Sequence, residues 1–242
     1  MNRSICSPGP VLCLALCLGV AWFATPPSPA AAQAEPGGEL TYDDLRALAK
    51  EHTRLREYEK AIMTLKLAEP LAPNRHHRAR LLTTQARCYW FMKDYEAGHE
   101  TIETALATEN LSGNATAKAL LMRGDLYRGQ RDFEQAVASY EKVQEIEKVV
   151  AGNFVDSLIG AGRAYLDMRA FGKALESLED AQDHPEAKPE QRMYAIFFLG
   201  SLYSRTGKND LAREMYQQVI DFDHNLPNLK KNAQVRMDKL PQ

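Results

Sequence analysis

The chain has 242 residues, 45% of them hydrophobic and 26% charged, a balance that suits one large packed domain or two small ones. Thirty Lys and Arg stand against 32 Asp and Glu, a net charge of −2, so there is no global attraction to phosphate and a nucleic-acid partner is not expected. Three of the four cysteines fall at Cys6, Cys13 and Cys17, which leaves Cys88 alone in the rest of the chain and excludes an internal disulfide there.

The first segment carries Arg3 as its one charge, then the apolar run VLCLALCLGVAWFA (11–24), then the small and proline-rich TPPSPAAAQAEPGG. This is the layout of a secretory signal peptide. Cleavage fits after Ala34, reading AQA, or after Ala32, reading AAA, which gives a leader of residues 1–34 and a short linker, 35–41. Two alternatives are weaker. A retained anchor would want about 20 apolar residues, and a lipid-modified Cys17 would follow the bulky Leu16 where such precursors carry a small residue. The expected address is periplasmic or secreted, with the alanine-rich cleavage region favouring a bacterial source. Contact with a membrane is expected only through this segment or through a partner.

Beyond the linker, five twelve-residue segments repeat: EYEKAIMTLKLA from Glu57, DYEAGHETIETA from Asp94, DFEQAVASYEKV from Asp132, AFGKALESLEDA from Ala170 and KNDLAREMYQQV from Lys208. Their small residues are Ala61, Gly98, Ala136, Ala174 and Ala212, spaced 37, 38, 38 and 38 apart. A fixed period of this size predicts stacked repeats. Upstream of each small residue a second pattern recurs, as in Leu120, Arg123, Gly124, Tyr127 and in Ile196, Leu199, Gly200, Tyr203. The spacing 3, 1, 3 predicts one face of a helix, and Ala136, Tyr140, Val143 predicts the face of a second. Each unit is therefore expected to be two antiparallel helices joined by a tight turn such as RGQRD (128–132). Small residues allow the helices to cross closely, and the aromatics fill the remaining groove.

Large, small and aromatic positions on a first helix, followed by aromatic, small, large and small positions on a second, resemble the tetratricopeptide repeat. The resemblance covers residues 42–226, with expected units at 42–75, 79–112, 117–150, 155–188 and 193–226. The period exceeds the family's 34 residues, which implies an extra helical turn or a longer connection in each unit. Arg123 and Gln85 stand where a large apolar residue is usual, and Asn209 replaces an aromatic. After the fifth unit, residues 227–242 begin with Pro227 and place Leu229, Ala233, Met237 and Leu240 on one face, as a capping helix would. The expected fold class is an all-α solenoid of about five helix-turn-helix repeats closed by that helix.

In this family the first helix of each pair lines a concave groove, so the resemblance implies a partner-binding surface by offset. The positions carried over include Arg46, Lys50, Arg80, Arg87, Trp90, Leu121, Asp125, Arg128, Arg163, Leu166, Tyr194 and Phe197. The groove is expected to be basic toward its N-terminal half and more apolar toward its C-terminal half, suiting an acidic segment with an apolar anchor. The alternative is that the basic residues solvate an open face and the aromatics pack between units. Trp90 and Phe91 cannot both face the core, so one of them is expected to be exposed. Family members that hold a terminal carboxylate use offsets that here read Arg46, Lys50, Thr84, Lys118 and Met122, a set from which the asparagines are missing.

The six histidines show no ligand spacing on one helix face, and no phosphate loop, nucleophile elbow or paired-cysteine pattern occurs. No enzyme activity, cofactor or metal is expected. Cys88 lies inside an apolar helical pattern and is expected to be a buried hydrophobe. Asn110 and Asn114 match the N-glycosylation pattern, which matters only in a eukaryotic secretory pathway. The functional expectation is a scaffold or adaptor that binds another protein, with a structural role by self-association as the alternative.

Overall fold

The computed structural model describes residues 39–241; the expected leader and residues 35–38 of the expected linker lie outside the described residues. The described chain is all α. Five helix pairs follow one another: α1 (Tyr42–Arg54) with α2 (Tyr58–Ala68), α3 (Arg75–Met92) with α4 (Tyr95–Leu106), α5 (Gly113–Gln130) with α6 (Phe133–Gln144), α7 (Ala151–Asp167) with α8 (Phe171–Asp183), and α9 (Pro189–Arg205) with α10 (Asn209–Asp221). A last helix, α11 (Pro227–Met237), packs on α10 and α9.

Local chemistry sets the helix starts. Thr41 and Asp44 form a reciprocal capping box, with Asp44 accepting from the Thr41 N–H at 3.0 Å. Asn74 accepts from the N–H groups of His76 and His77, Ser112 from Ala115, and Asp94 and Asp132 from Ala97 and Gln135. Pro189 and Pro227 occupy first-turn positions, where a missing N–H costs no helical hydrogen bond.

The long period now has a location. Helices α3, α5, α7, α9 and α11 begin at Arg75, Gly113, Ala151, Pro189 and Pro227, each 38 residues after the last. The first helices from α3 to α9 are 17 or 18 residues long, whereas α1 has 13. The four or five additional residues are about one helical turn at the N-terminal end of each first helix.

Every pair closes through the same turn. Arg56, Lys93, Arg131, Arg169 and Gly207 have φ of 61°, 62°, 69°, 61° and 77°. The next N–H reaches back across the turn, as Asp132 N to Tyr127 O at 2.9 Å and Lys208 N to Tyr203 O at 2.9 Å. This is a left-handed helix stop that satisfies otherwise orphaned carbonyls.

The core is a chain of overlapping clusters, each shared by adjacent pairs. Ala136, Tyr140, Ala161, Leu178 and Leu199 pack together across three pairs. Leu82, Ile102, Met122 and Leu126 form the preceding cluster. At the C-terminal end Leu229 and Ala233 of α11 cover Tyr216 and Val219, with Met237 and Leu240 packed alongside. Consecutive first helices also pack on one another, α3 on α5, α5 on α7 and α7 on α9, while second helices pack mainly on first helices. The first helices therefore line the inner side of the stack. No helix among the described residues is long and apolar enough to cross a membrane.

Candidate partner-binding groove

The inner side forms three successive hollows. The first, about 750 Å³, is lined by Arg46, Lys50, Arg80 and Arg87 from α1 and α3. The second, about 420 Å³, runs from Arg80 and Arg87 past Lys118 and Leu121 to Asp125 and Asp156. The third, about 230 Å³, is walled by Asp125, Tyr140, Asp156, Arg163, Tyr194 and Phe198. Shared residues join them end to end.

At the N-terminal end all but one of the named cations are unpaired. Arg46 pairs with Asp43 at 3.3 Å, but among the described residues Lys50, Arg80, Arg87 and Lys118 have no carboxylate within 4.0 Å. All four are exposed on the groove wall. Their charges are available to a ligand, because no salt bridge has to be broken first.

The middle of the groove is acidic. Asp125 accepts the Tyr140 hydroxyl at 2.8 Å, and its backbone carbonyl accepts the Trp90 indole N–H at 2.9 Å. Asp156 accepts from the Gln191 amide at 2.6 Å. Desolvation in the hollow holds the Asp156 carboxyl above its ordinary range, and the Asp125 charge adds to the effect. Arg163 lies with its guanidinium carbon 4.9 Å from the centre of the Phe198 ring.

Several residues expected in the groove have other work. Leu166 and Phe197 are 3% and 5% exposed and belong to the core, so neither is an apolar anchor for a ligand. Phe197 is additionally covered by the Arg236 guanidinium of α11, 5.1 Å from its ring centre. Arg128 is half-buried and tied to Asp167 at 3.5 Å, and Arg205 holds the same carboxylate at 3.6 Å while donating to the Leu166 carbonyl. Trp90 bridges two units through Asp125. Its neighbour Phe91 is the exposed one, 46% accessible and stacked on Tyr58 at 4.9 Å. Leu121 is half-buried at the junction of two hollows, and Tyr194, 42% exposed, provides the open aromatic surface.

Asp156, Tyr140 and Phe198 are groove residues that escaped the sequence reading. Asp156 occupies the helical position of Arg80, Lys118 and Tyr194, 38 residues apart in each step, so the period alone could have found it. The Tyr140 hydroxyl carried no such signal, because Tyr140 sits on a second helix at a packing position. Elsewhere Cys88 is fully buried beside Ala61 and Ile62, and burial pushes its thiol upward.

Comparison with known proteins agrees with this architecture. Residues 117–149 and 194–225, the third and fifth helix pairs, match the family model of the tetratricopeptide repeat. No curated protein matches the chain. Among solved structures it is similar to the apo form of RapI, at 15% identity and a TM-score of 0.64, covering 82% of this chain and 58% of RapI. It is also similar to TTC0263, a thermophilic tetratricopeptide-repeat protein of Thermus thermophilus, at 18% identity and a TM-score of 0.62 over 81% of this chain and 98% of that one. BtubC from P. vanneervenii matches at 12% identity and a TM-score of 0.61 over 84% of each chain. The chain spans 58% of the length of RapI, and these identities bear on fold alone. The fold is an all-α helical repeat, similar to that of solved tetratricopeptide-repeat structures, and two of its five helix pairs match the tetratricopeptide-repeat model.

Proposed function

We propose that the chain is an exported adaptor that holds a segment of a partner protein in its concave groove and acts as a scaffold or assembly factor of the cell envelope. The observation that supports this is the convergence of Lys50, Arg80, Arg87 and Lys118 on one open groove without carboxylate partners. Such an arrangement favours an acidic segment and speeds its capture. No chemistry beyond binding is proposed. The test is affinity capture from an envelope extract with the wild-type chain and with Arg80→Glu/Arg87→Glu, two exposed positions that leave the core intact. Loss of the captured partner from the variant is expected; identical partners for both would overturn the reading. Export is tested by sequencing the N-terminus of the chain recovered from periplasm or medium, where a start near Glu35 is expected.

One observation favours self-association as a second reading. Met63 and Leu67 on α2 are 67% and 64% exposed. At the same positions the later units carry Glu100 and Thr104, Ala138 and Lys142, Glu176 and Asp180, and Glu214 and Gln218. An exposed apolar pair confined to the first unit is what a stack-to-stack contact would use. Light scattering that returns a strict monomer at high concentration would remove this reading.

A further inference from the structure

The groove does not carry one sign of charge. Equivalent helical positions form two rows along its floor. One runs Asp43, Arg80, Lys118, Asp156 and Tyr194; the other runs Lys50, Arg87, Asp125, Arg163 and Ser201. Asp43 is already paired with Arg46; beyond it each row passes from two cations to a carboxylate, and the carboxylates Asp125 and Asp156 line the same two hollows.

Neither carboxylate is ion-paired among the described residues, although Arg163 acts on Asp125 and Lys188 on Asp156 from longer range. Asp125 is held by the Tyr140 hydroxyl and Asp156 by the Gln191 amide, both uncharged donors. Among the described residues no cation lies within 4.0 Å of either. Arg163, the nearest candidate by position, is placed over the Phe198 ring. Fixed neutral donors orient the two carboxylates without cancelling their charge, so a cation arriving between them meets acceptors that need little rearrangement. A segment acidic along its whole length would gain at Arg80 and Arg87 and be repelled here.

Resting on the groove reading above, we propose that the partner segment is amphoteric, with acidic residues over Arg80 and Arg87 and a Lys or Arg side chain seated between Asp125 and Asp156. Neighbouring first helices lie roughly 10 Å apart, and an extended chain advances about 3.3 Å per residue. The acidic and basic residues of the segment are therefore roughly three to six positions apart.

The test uses the full chain and a phage-displayed library of random 12-residue peptides. Selection on the wild type is expected to enrich peptides with an acidic residue and a Lys or Arg at that separation. Selection on Asp125→Asn/Asp156→Asn is expected to keep the acidic preference and lose the basic one, because asparagine preserves an acceptor for Tyr140 and for Gln191 but removes the charge. A wild-type-selected peptide should bind that variant about tenfold more weakly. Acidic enrichment with no basic partner, or basic enrichment that survives in the asparagine variant, overturns this inference and leaves the groove reading standing. Selection on Arg80→Glu/Arg87→Glu that returns the wild-type peptides overturns both.

Discussion

The Tyr140 hydroxyl donates to Asp125 across 2.8 Å, so a residue of the buried second-helix face reaches through the stack to the floor of the groove. Two units later Tyr216 makes the equivalent contact with Ser201 at 3.3 Å, and Arg236 of the capping helix joins it at 3.0 Å. Tyr140 thus couples the core to the acidic part of the candidate site. Tyr140→Phe keeps the ring and deletes the donor. Because Asp125 is only half-buried and can take water instead, the expected loss is about 1 kcal/mol, read as a fall in Tm of about 2–4 °C. An unchanged Tm would mean that the hydroxyl contributes nothing.

The ring of Tyr140 is wedged between two glycines. A Cβ at Gly124 would lie 2.5 Å from its Cε1, and one at Gly160 2.6 Å from the same atom. The ring cannot retreat from one without striking the other. Gly160→Ala is expected to destabilise by about 1–3 kcal/mol through overpacking. Leucine is the residue used at this position in two other units, Leu65 and Leu178. Tyr140→Leu combined with Gly160→Ala should therefore cost less than the sum of the two single changes, a coupling measured by a double-mutant cycle in urea. Strict additivity would contradict the wedge.

How much of this was legible beforehand differs by residue. The helix pairs were legible because both helical faces recur at a fixed period, and Ala61, Ala136, Ala174 and Ala212 are fully buried at the crossings where small residues were expected. The extra turn was not, since the period gives its length and not its place. Gly160 was missed because Thr84, Met122 and Phe198 hold its position elsewhere, so no repeat pattern marks it as small. Its reason lies on another helix, in the size of Tyr140. Leu166 and Phe197 were assigned to the groove by offset alone, and a small rotation of a helix about its axis is enough to turn such a residue inward.

The turn after each first helix offers a stabilising change. Arg131 adopts φ of 69°, a left-handed conformation that costs a residue with a Cβ roughly 1 kcal/mol relative to glycine. In the fifth unit the position is already Gly207. Arg131 forms no ion pair among the described residues, so Arg131→Gly sacrifices no salt bridge. Part of the gain is offset by the greater freedom of glycine in the unfolded chain. A net rise of about 0.5 kcal/mol is expected in urea unfolding; a loss of stability would show that the arginine side chain packs more usefully than its exposure suggests.

The tyrosines also fix the behaviour of the stack in alkali. Burial holds the Tyr140 phenol well above its ordinary value of 10, with the Asp125 charge adding to the effect. Burial, with the hydrogen bond to Glu141, pushes Tyr165 up to about 12. Both groups stay protonated in the folded chain at a pH where the unfolded chain has begun to release those protons. Their contribution to stability is therefore complete below about pH 10 and is lost progressively as pH rises toward the folded-state values. Tyr140→Phe lacks one of these groups and loses less on the same titration. The stability gap between wild type and Tyr140→Phe, measured by urea unfolding at pH 8, 10 and 11, is expected to narrow as the pH rises. A gap that stays constant across that range would show that Tyr140 titrates alike in the folded and unfolded chain, and the buried contact with Asp125 would then have to be discarded.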